Sequence, residues 1–461
     1  MAFFATLVLV VLSIIRPAEI WPFLEPLHLL DLCILLAVVG VTFDVATGKE
    51  KDLGSPQLVF LLGFIVTSYT SSIKAVGFEG FKMATLRTVI SAVFMLIVMY
   101  GTRTLQRLRT LIVLLILMCV FVSAVAVHQG SQTPTCIELP PDAEDIGSVE
   151  SDEINSDGRE CETPSECYRN GGRGDVEYAC EAEGLFKTVT IVRRVRWRGQ
   201  LADPNELSVY IGVCVPFMLM MIGTRRRWLR APVALAAIGL GLWAIVLSKS
   251  RGGQLVTAAV FAPYFLARYR WKGLVVGALA AAPMFFLGGR EDSEGSAEER
   301  TELLYNGVTY VAHHPFFGMG LEQFAEMEGH TAHNSYLLAA AEMGMPGFFA
   351  WTGLMWASIK IPLTVARRPA GTFEPGLREL STALVVSFVG MSVGIFFLSF
   401  TFKQLLFVWL GMSGAVYGIA RKQDPAFSVK LGRRDLVGLF VFDVLVLVAI
   451  YVYTRFKAGA G

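Results

Sequence analysis

Apolar runs about as long as a bilayer crossing recur from one end of this chain to the other, and they leave it few folds to choose from. A transmembrane helix needs roughly 20 mostly apolar residues. We read thirteen such spans, at 2–16, 27–43, 56–72, 84–101, 110–127, 205–222, 231–248, 252–267, 272–288, 347–365, 379–399, 404–420 and 436–453. The 461 residues are 54% hydrophobic and only 17% charged, which excludes an ordinary soluble domain. The first span lacks a basic leading region, and Arg16-Pro17 follows it in place of a small-residue cleavage site, so it reads as a helix and not as a signal peptide. The expected fold is an all-α polytopic membrane protein with 12–13 transmembrane helices.

Orientation follows from the basic residues. Arg103, Arg107 and Arg109 flank one turn, and Arg225, Arg226, Arg227 and Arg230 another. Arg268, Arg270 and Lys272, then Arg367, Arg368 and Arg378, then Arg421, Lys422, Lys430, Arg433 and Arg434 mark three more. All five turns fall on one side if every span is real, and that side is cytoplasmic by the positive-inside rule. The N-terminus is then inside and the C-terminus outside. The expected organisation is helices over 1–127, an outer loop at 128–204, helices over 205–288, a second outer loop at 289–346, and helices over 347–461.

The first loop changes character along its length. Residues 138–166 are rich in Asp and Glu, which reads as a solvated, partly disordered surface. Four of the seven cysteines, Cys136, Cys161, Cys167 and Cys180, lie in this loop. In an oxidising compartment they suggest two disulfides, with three pairings open. A zinc site is the rival, but no Cys-x-x-Cys pair occurs and no His lies among the four. The loop then turns basic, with Arg193, Arg194, Arg196 and Arg198. No internal repeat, Walker-type phosphate loop or dinucleotide fingerprint is present, which argues against a nucleotide-driven pump. No feature points to nucleic acid.

An enzyme on the outer face has no nucleotide-activated donor. It needs one already activated and carried in the lipid, and polyprenyl-diphosphate-linked glycans meet that need. Their diphosphate leaving group can be stabilised by a metal or by arginines, whose planar fork pairs bidentately with phosphate oxygens. Arg198 ends the first outer loop, Arg251 sits in the short turn Ser248-Lys249-Ser250-Arg251-Gly252-Gly253, and Arg300 opens the second loop. The bland alternative for each is an interfacial Arg that snorkels to lipid headgroups. Arg251 stands apart, because two adjacent glycines would let a ligand approach the backbone.

His333 lies where the second loop meets an apolar segment, and an imidazole there can exchange a proton near neutral pH. The bland alternative is a capping or surface His. A helix starting near Asn334 would aim its amides and positive dipole end at an anion. His330 and His333 would share a face if that turn is helical. Four of the six histidines, His313, His314, His330 and His333, lie near Glu322, Glu326 and Glu328, but none of the standard zinc spacings occurs.

Four motifs in order carry a family resemblance. Arg198 to Asn205 reads Arg-x-x-x-x-Asp-Pro-Asn, and Ser250 to Gly253 reads Ser-Arg-Gly-Gly. Pro315-Phe316-Phe317-Gly318-Met319-Gly320 then precedes His333-Asn334-Ser335, with Glu342-x-Gly and Gly347 after it. This order resembles the O-antigen ligase and O-antigen polymerase superfamily over roughly residues 190–350. The resemblance implies a GT-C-type membrane fold and inverting glycan transfer from undecaprenyl diphosphate, with no metal and no cofactor. It implies His333 as the essential loop histidine and Arg198 and Arg251 as diphosphate-facing arginines. The Cys-containing acidic insert at 130–185 and a thirteenth span depart from the family pattern.

The expected function is therefore a ligase-like glycosyltransferase in the bacterial inner membrane, working on the periplasmic face. Its donor is an undecaprenyl-diphosphate-linked glycan and its acceptor a hydroxyl of the lipid A-core. His333 serves as catalytic base, Arg198, Arg251 and Arg300 hold the diphosphate, and Asn205, Asn334 and His330 support them. A polymerase joining a second lipid-linked repeat unit shares the chemistry. A lipid-linked glycan flippase is the rival from another class, but mid-span charges are few, Asp443 being the clearest, and no repeated halves occur.

Overall fold

In the computed structural model, residues 2–48, 53–140, 155–169, 171–222, 227–270, 272, 275, 293–369 and 371–458 are described. Among them, eight helices are long and apolar enough to cross a membrane, and the chain is an all-α polytopic membrane protein. The helices are α1 (Ala2–Ile15), α2 (Leu29–Ala46), α3 (Gln57–Ala84), α4 (Ile90–Gly101), α5 (Leu105–Gly130), α6 (Pro164–Arg169), α7 (Pro204–Ile222), α8 (Arg227–Leu247) and α9 (Arg251–Tyr269). They continue with α10 (Ser293–His313), α11 (Gln323–Glu328), α12 (Ser335–Arg367), α13 (Pro375–Gly394), α14 (Gln404–Gln423) and α15 (Arg433–Ala458).

Thirteen spans were expected, and length and composition yield eight among the described residues. The spans expected at 56–72 and 84–101 belong to one stretch, Gln57–Gly101, interrupted where Gly77 takes φ 62°. Helix α1 is apolar but only 14 residues long. Helices α9 and α14 cover the spans expected at 252–267 and 404–420 without being among the eight. The span expected at 272–288 lies, apart from residues 272 and 275, outside the described residues.

The chain divides into two compact units. One comprises Met1–Thr6, Ile34–Leu111 and Arg290–Gly461. Its helices meet through small residues, the common solution where lipid removes the hydrophobic drive between helices. A Cβ on Gly353 of α12 would come within 2.2 Å of the Phe60 ring on α3, and one on Gly411 of α14 within 2.7 Å of the Met95 carbonyl on α4. Buried Gln57 ties three helices together, donating to Ser358 Oγ at 2.5 Å and to the Leu410 carbonyl at 2.9 Å.

The other unit comprises Leu7–Cys33 and Ile112–Gly289. Helix α7 packs against α8 and α9. Gly212 faces Val256, and Gly253 faces Ser208 so closely that a Cβ would lie 2.2 Å from the serine Cβ. The described part of the loop at 128–204 has regular structure. It holds an antiparallel sheet of order β2-β1-β3, with β1 at Thr135–Glu138, β2 at Asn155–Glu160 and β3 at Tyr178–Glu181. Cys136 pairs with Cys167 and Cys161 with Cys180, bridging 31 and 19 residues. Closing loops of those lengths constrains the unfolded chain by about 3–4 kcal/mol each. Together with Tyr178 these cysteines are the small core of the insert. Residues 141–154, the centre of the acidic run, lie outside the described residues.

Candidate functional site

The site in the first unit is built on the first turn of α12. Asn334 is its N-cap, 1% exposed, and its side chain accepts from the Leu337 amide at 2.9 Å. Ser335 anchors the same turn: its Oγ donates to the Leu398 carbonyl at 2.5 Å and accepts from the Phe400 amide at 2.7 Å. The Ser335 amide reaches the Ile395 carbonyl at 2.9 Å. His333 precedes this fixed start, half-buried, with φ +46°. A left-handed backbone costs a Cβ-bearing residue of order 1–3 kcal/mol, and it persists where the surroundings over-determine it. Here the Asn334 cap and the Ser335 anchor that follow it do so. The segment from Thr331 to Asn334 is not helical, so His330 and His333 do not share a helical face, contrary to expectation. His330 turns instead toward Glu299 of α10, at 3.4 Å.

Helix α12 breaks at Gly344, where φ is +69°. The break frees main-chain carbonyls, and the Pro315–Gly320 loop satisfies them. The Met319 amide donates to the Ala341 carbonyl at 2.9 Å and the Gly320 amide to the Glu342 carbonyl at 3.1 Å. The Met345 amide closes the seam on the Pro315 carbonyl at 2.7 Å. Gly318 and Gly320, at φ +70° and +98°, supply the turn. Glu342 is 3% exposed, and its Oε1 accepts from the Glu322 amide at 2.9 Å. Glu322 in turn pairs with Arg87. The two glycine-containing motifs thus brace one another.

Helix α10 lies against this assembly. Gly307 lets it approach α12 so closely that a Cβ would lie 2.6 Å from Leu337. Asn306 donates to Glu328 at 2.9 Å and the Tyr310 hydroxyl donates to the other oxygen of that carboxylate at 2.5 Å. That bond pushes the Tyr310 hydroxyl up to about 12. Arg300 stands seven residues before Gly307, which returns it to the same helical face about 10 Å further along. It is half-buried.

The second unit carries the other arginines. Ser250 caps α9, accepting from the Gly253 amide at 3.1 Å, and Arg251 opens the helix as an exposed residue. Lys249, just before the cap, has φ +48°, so Lys249-Ser250 repeats the local construction of His333-Asn334. The expectation that the double glycine admits a ligand is corrected at Gly253, where Ser208 fills the space a Cβ would need. Asp203 Oδ1 accepts from the Asn205 amide at 2.6 Å and its side chain at 2.8 Å.

Arg194 then links two motifs, donating to Asn205 Oδ1 at 2.9 Å and to the Ser248 carbonyl at 2.8 Å. Sequence reasoning grouped Arg194 with its neighbours and gave no sign of this bridge. Arg198, expected to face a diphosphate, is 8% exposed and directs its two terminal nitrogens to the Glu19 and Phe186 carbonyls. Those bonds hold the loop together and direct its donors inward.

Within the first unit, then, His330, His333 and Asn334 lie at or just before the start of α12, and Arg300 lies about two helical turns from Gly307 on the same face of α10. Within the second, Asn205 and Arg251 lie at the ends of α7 and α9. Among the described residues, the histidines and glutamates of 313–333 form no group of three within ligand reach. Three cysteine sulfurs, of Cys136, Cys161 and Cys167, do lie within 4.8 Å, and each is engaged in a disulfide.

No curated protein matches the chain. The family comparison covers Arg251, Arg300, His333 and Asn334 but not Arg198 or Asn205: residues 236–352 match the family model described as O-antigen ligase, a match that supports the resemblance to the O-antigen ligase and polymerase superfamily.

Proposed function

We propose that the protein is a membrane glycosyltransferase moving a glycan from undecaprenyl diphosphate to a lipid A-core hydroxyl, on the periplasmic face of the bacterial inner membrane. The family match over residues 236–352 supports glycosyl transfer with a lipid-linked glycan and membrane lipids as partners. The single observation that carries the residue assignment is His333, strained in the left-handed region and held there by the buried Asn334 cap and the Ser335 anchor.

In this reading the neutral imidazole takes the proton of the acceptor hydroxyl. The hydroxyl oxygen bonds to the anomeric carbon from the face opposite the leaving group. The bond from that carbon to the diphosphate oxygen breaks, and its electron pair leaves with the diphosphate. The product inverts at the anomeric carbon. Arg251 and Arg300 receive the diphosphate charge, and arginine suits this because its fork pairs with two phosphate oxygens at once. Arg198 supports the site by holding the loop through the Glu19 and Phe186 carbonyls. Asn205 and Asn334 fix the helix starts, and His330 has a lesser role through Glu299.

The test is incubation of the purified protein with radiolabelled undecaprenyl-diphosphate glycan and one acceptor at a time. Product on lipid A-core alone supports the ligase. Product only with a second lipid-linked repeat unit makes the protein a polymerase. No product on either acceptor from an intact, well-folded protein overturns the transferase reading.

A further inference from the structure

The second unit contains a cavity of about 400 Å³ that the reaction described above does not use. It lies where the end of α5, the insert and the end of α8 meet, and Gln132, Thr190, Arg193, Trp243 and Lys249 are among the residues that line it. Small-ligand pockets run roughly from 300 to 1,000 Å³, so this volume suits one or two sugar rings.

Both cations in its wall stand on strained backbone. Ile191 and Arg194 exchange main-chain hydrogen bonds at 3.0 Å, closing a two-residue turn on Val192 and Arg193. Both turn residues have positive φ, +50° and +53°. A turn of that kind ordinarily takes Asn-Gly, and a β-branched Val is among the residues least suited to it. The turn is nonetheless tightly held. The buried Glu181 carboxylate accepts from the Val192 amide at 2.6 Å, the Arg193 amide at 2.9 Å and the Thr190 hydroxyl at 2.6 Å. Lys249 has φ +48°.

Strain sustained at two cationic positions on one cavity wall is the pattern of a prearranged site. Arg193 donates one bond to the Glu162 carbonyl. Lys249 is half-buried and, among the described residues, its ammonium has no hydrogen bond or ion pair. A partly desolvated, unpaired ammonium favours an anion. Trp243 adds a flat ring with a polar edge, a surface fitted to the apolar face of a sugar.

We propose that this cavity binds an anionic saccharide, with Arg193 and Lys249 as its charge contacts and Trp243 as its stacking surface. Its assignment to the acceptor glycan rests on the transferase reading, but the binding itself does not.

Calorimetric titration of the full-length protein in lipid nanodiscs at low salt tests it with four probes: glucose 6-phosphate, glucuronate, glucose and inorganic phosphate. The expected result is that an anionic sugar, phosphorylated or carboxylated, binds at least tenfold more tightly than glucose or phosphate. Which of the two binds better identifies the anion. Arg193→Gln and Lys249→Gln should each weaken binding fivefold or more. Arg193→Gly separates binding from folding, since it relaxes the turn: the thermal midpoint should hold or rise while affinity falls.

Equal affinity for glucose, or unchanged binding in the Arg193→Gln/Lys249→Gln double variant, overturns the proposal. So does phosphate binding as tightly as glucose 6-phosphate, which would make this a phosphate or headgroup site. Sugar binding by a protein that transfers nothing would keep the cavity assignment and remove the transferase reading.

Discussion

Gly318 lies so close to the main chain of Glu342 that a Cβ on it would sit 2.3 Å from the Glu342 carbonyl oxygen. The reciprocal contact is as tight, since a Cβ on Gly344 would sit 2.6 Å from the main-chain carbon of Phe316. Two positive-φ glycines thus pass backbone against backbone at the point where α12 breaks.

Gly318→Ala and Gly344→Ala should each destabilise the protein by about 1–3 kcal/mol or more, since a new methyl meets backbone that cannot rotate away. Gly329→Ala is the control: it also has positive φ, but open space surrounds it. Its loss should be limited to the left-handed strain. Thermal midpoints of the three variants in one detergent decide the matter. Equal midpoints for all three would show that the seam contributes nothing beyond φ.

His333→Ala should abolish transfer while the protein still inserts and accumulates. His333→Asn is the stricter variant, because Asn tolerates the left-handed region yet cannot serve as a base. It should match wild type in thermal midpoint and still be inactive. His330→Ala should be milder, because an exposed pair with Glu299 contributes little. Wild-type turnover by a folded His333 variant would sink the assignment.

The parts of the fold legible in the sequence are those written as long-range composition. Apolar runs gave the helices, because a span must be apolar over its whole length. The sheet was not legible. Strand β2, Asn-Ser-Asp-Gly-Arg-Glu, has no apolar alternation, and it is held by pairing with β1 and by the disulfide core. The cysteine pairing was equally closed to sequence, since which sulfurs meet depends on that sheet: Cys136 and Cys180 stand opposite one another in it yet bond elsewhere. Among the site residues, motif order singled out Arg251 and His333. No motif marks Glu181 or Arg194, whose partners lie 9, 11 and 12 residues away for Glu181 and 11 and 54 residues away for Arg194. Gly253 was misread because a glycine signals close approach without saying whether a ligand or a helix approaches.

Turnover should continue in excess EDTA. The proposed site answers the diphosphate charge with arginines. Loss of activity on chelation, restored by Mn or Mg, would return attention to the histidines and glutamates of 313–333.

Peptide mapping after alkylation without reductant should recover Cys136–Cys167 and Cys161–Cys180 as linked pairs, leaving Cys33, Cys119 and Cys214 as free thiols. Replacing either pair by Ser should lower the protease resistance of the insert more than it lowers transfer. Finding all four loop cysteines alkylated would overturn the pairing and the oxidising location with it.

Arg251→Ala should be nearly inactive, and Arg251→Lys should be a poor substitute. Arg251 is exposed at the first position of α9, beside the Ser250 cap, where helix amides and dipole also favour an anion. Lysine keeps the charge but gives up the bidentate fork. A lost charge-assisted contact in a partly dry site costs about 2–4 kcal/mol of transition-state stabilisation, or roughly 30- to 1,000-fold in rate. An arginine that merely snorkels to headgroups predicts a change under about twofold for either variant. Single-turnover rates at saturating lipid donor separate the two. If Arg251→Lys matches wild type, this turn does not grip the diphosphate. The charge would then fall to Arg300, whose place on the α12-facing side of α10 makes it the next residue to test.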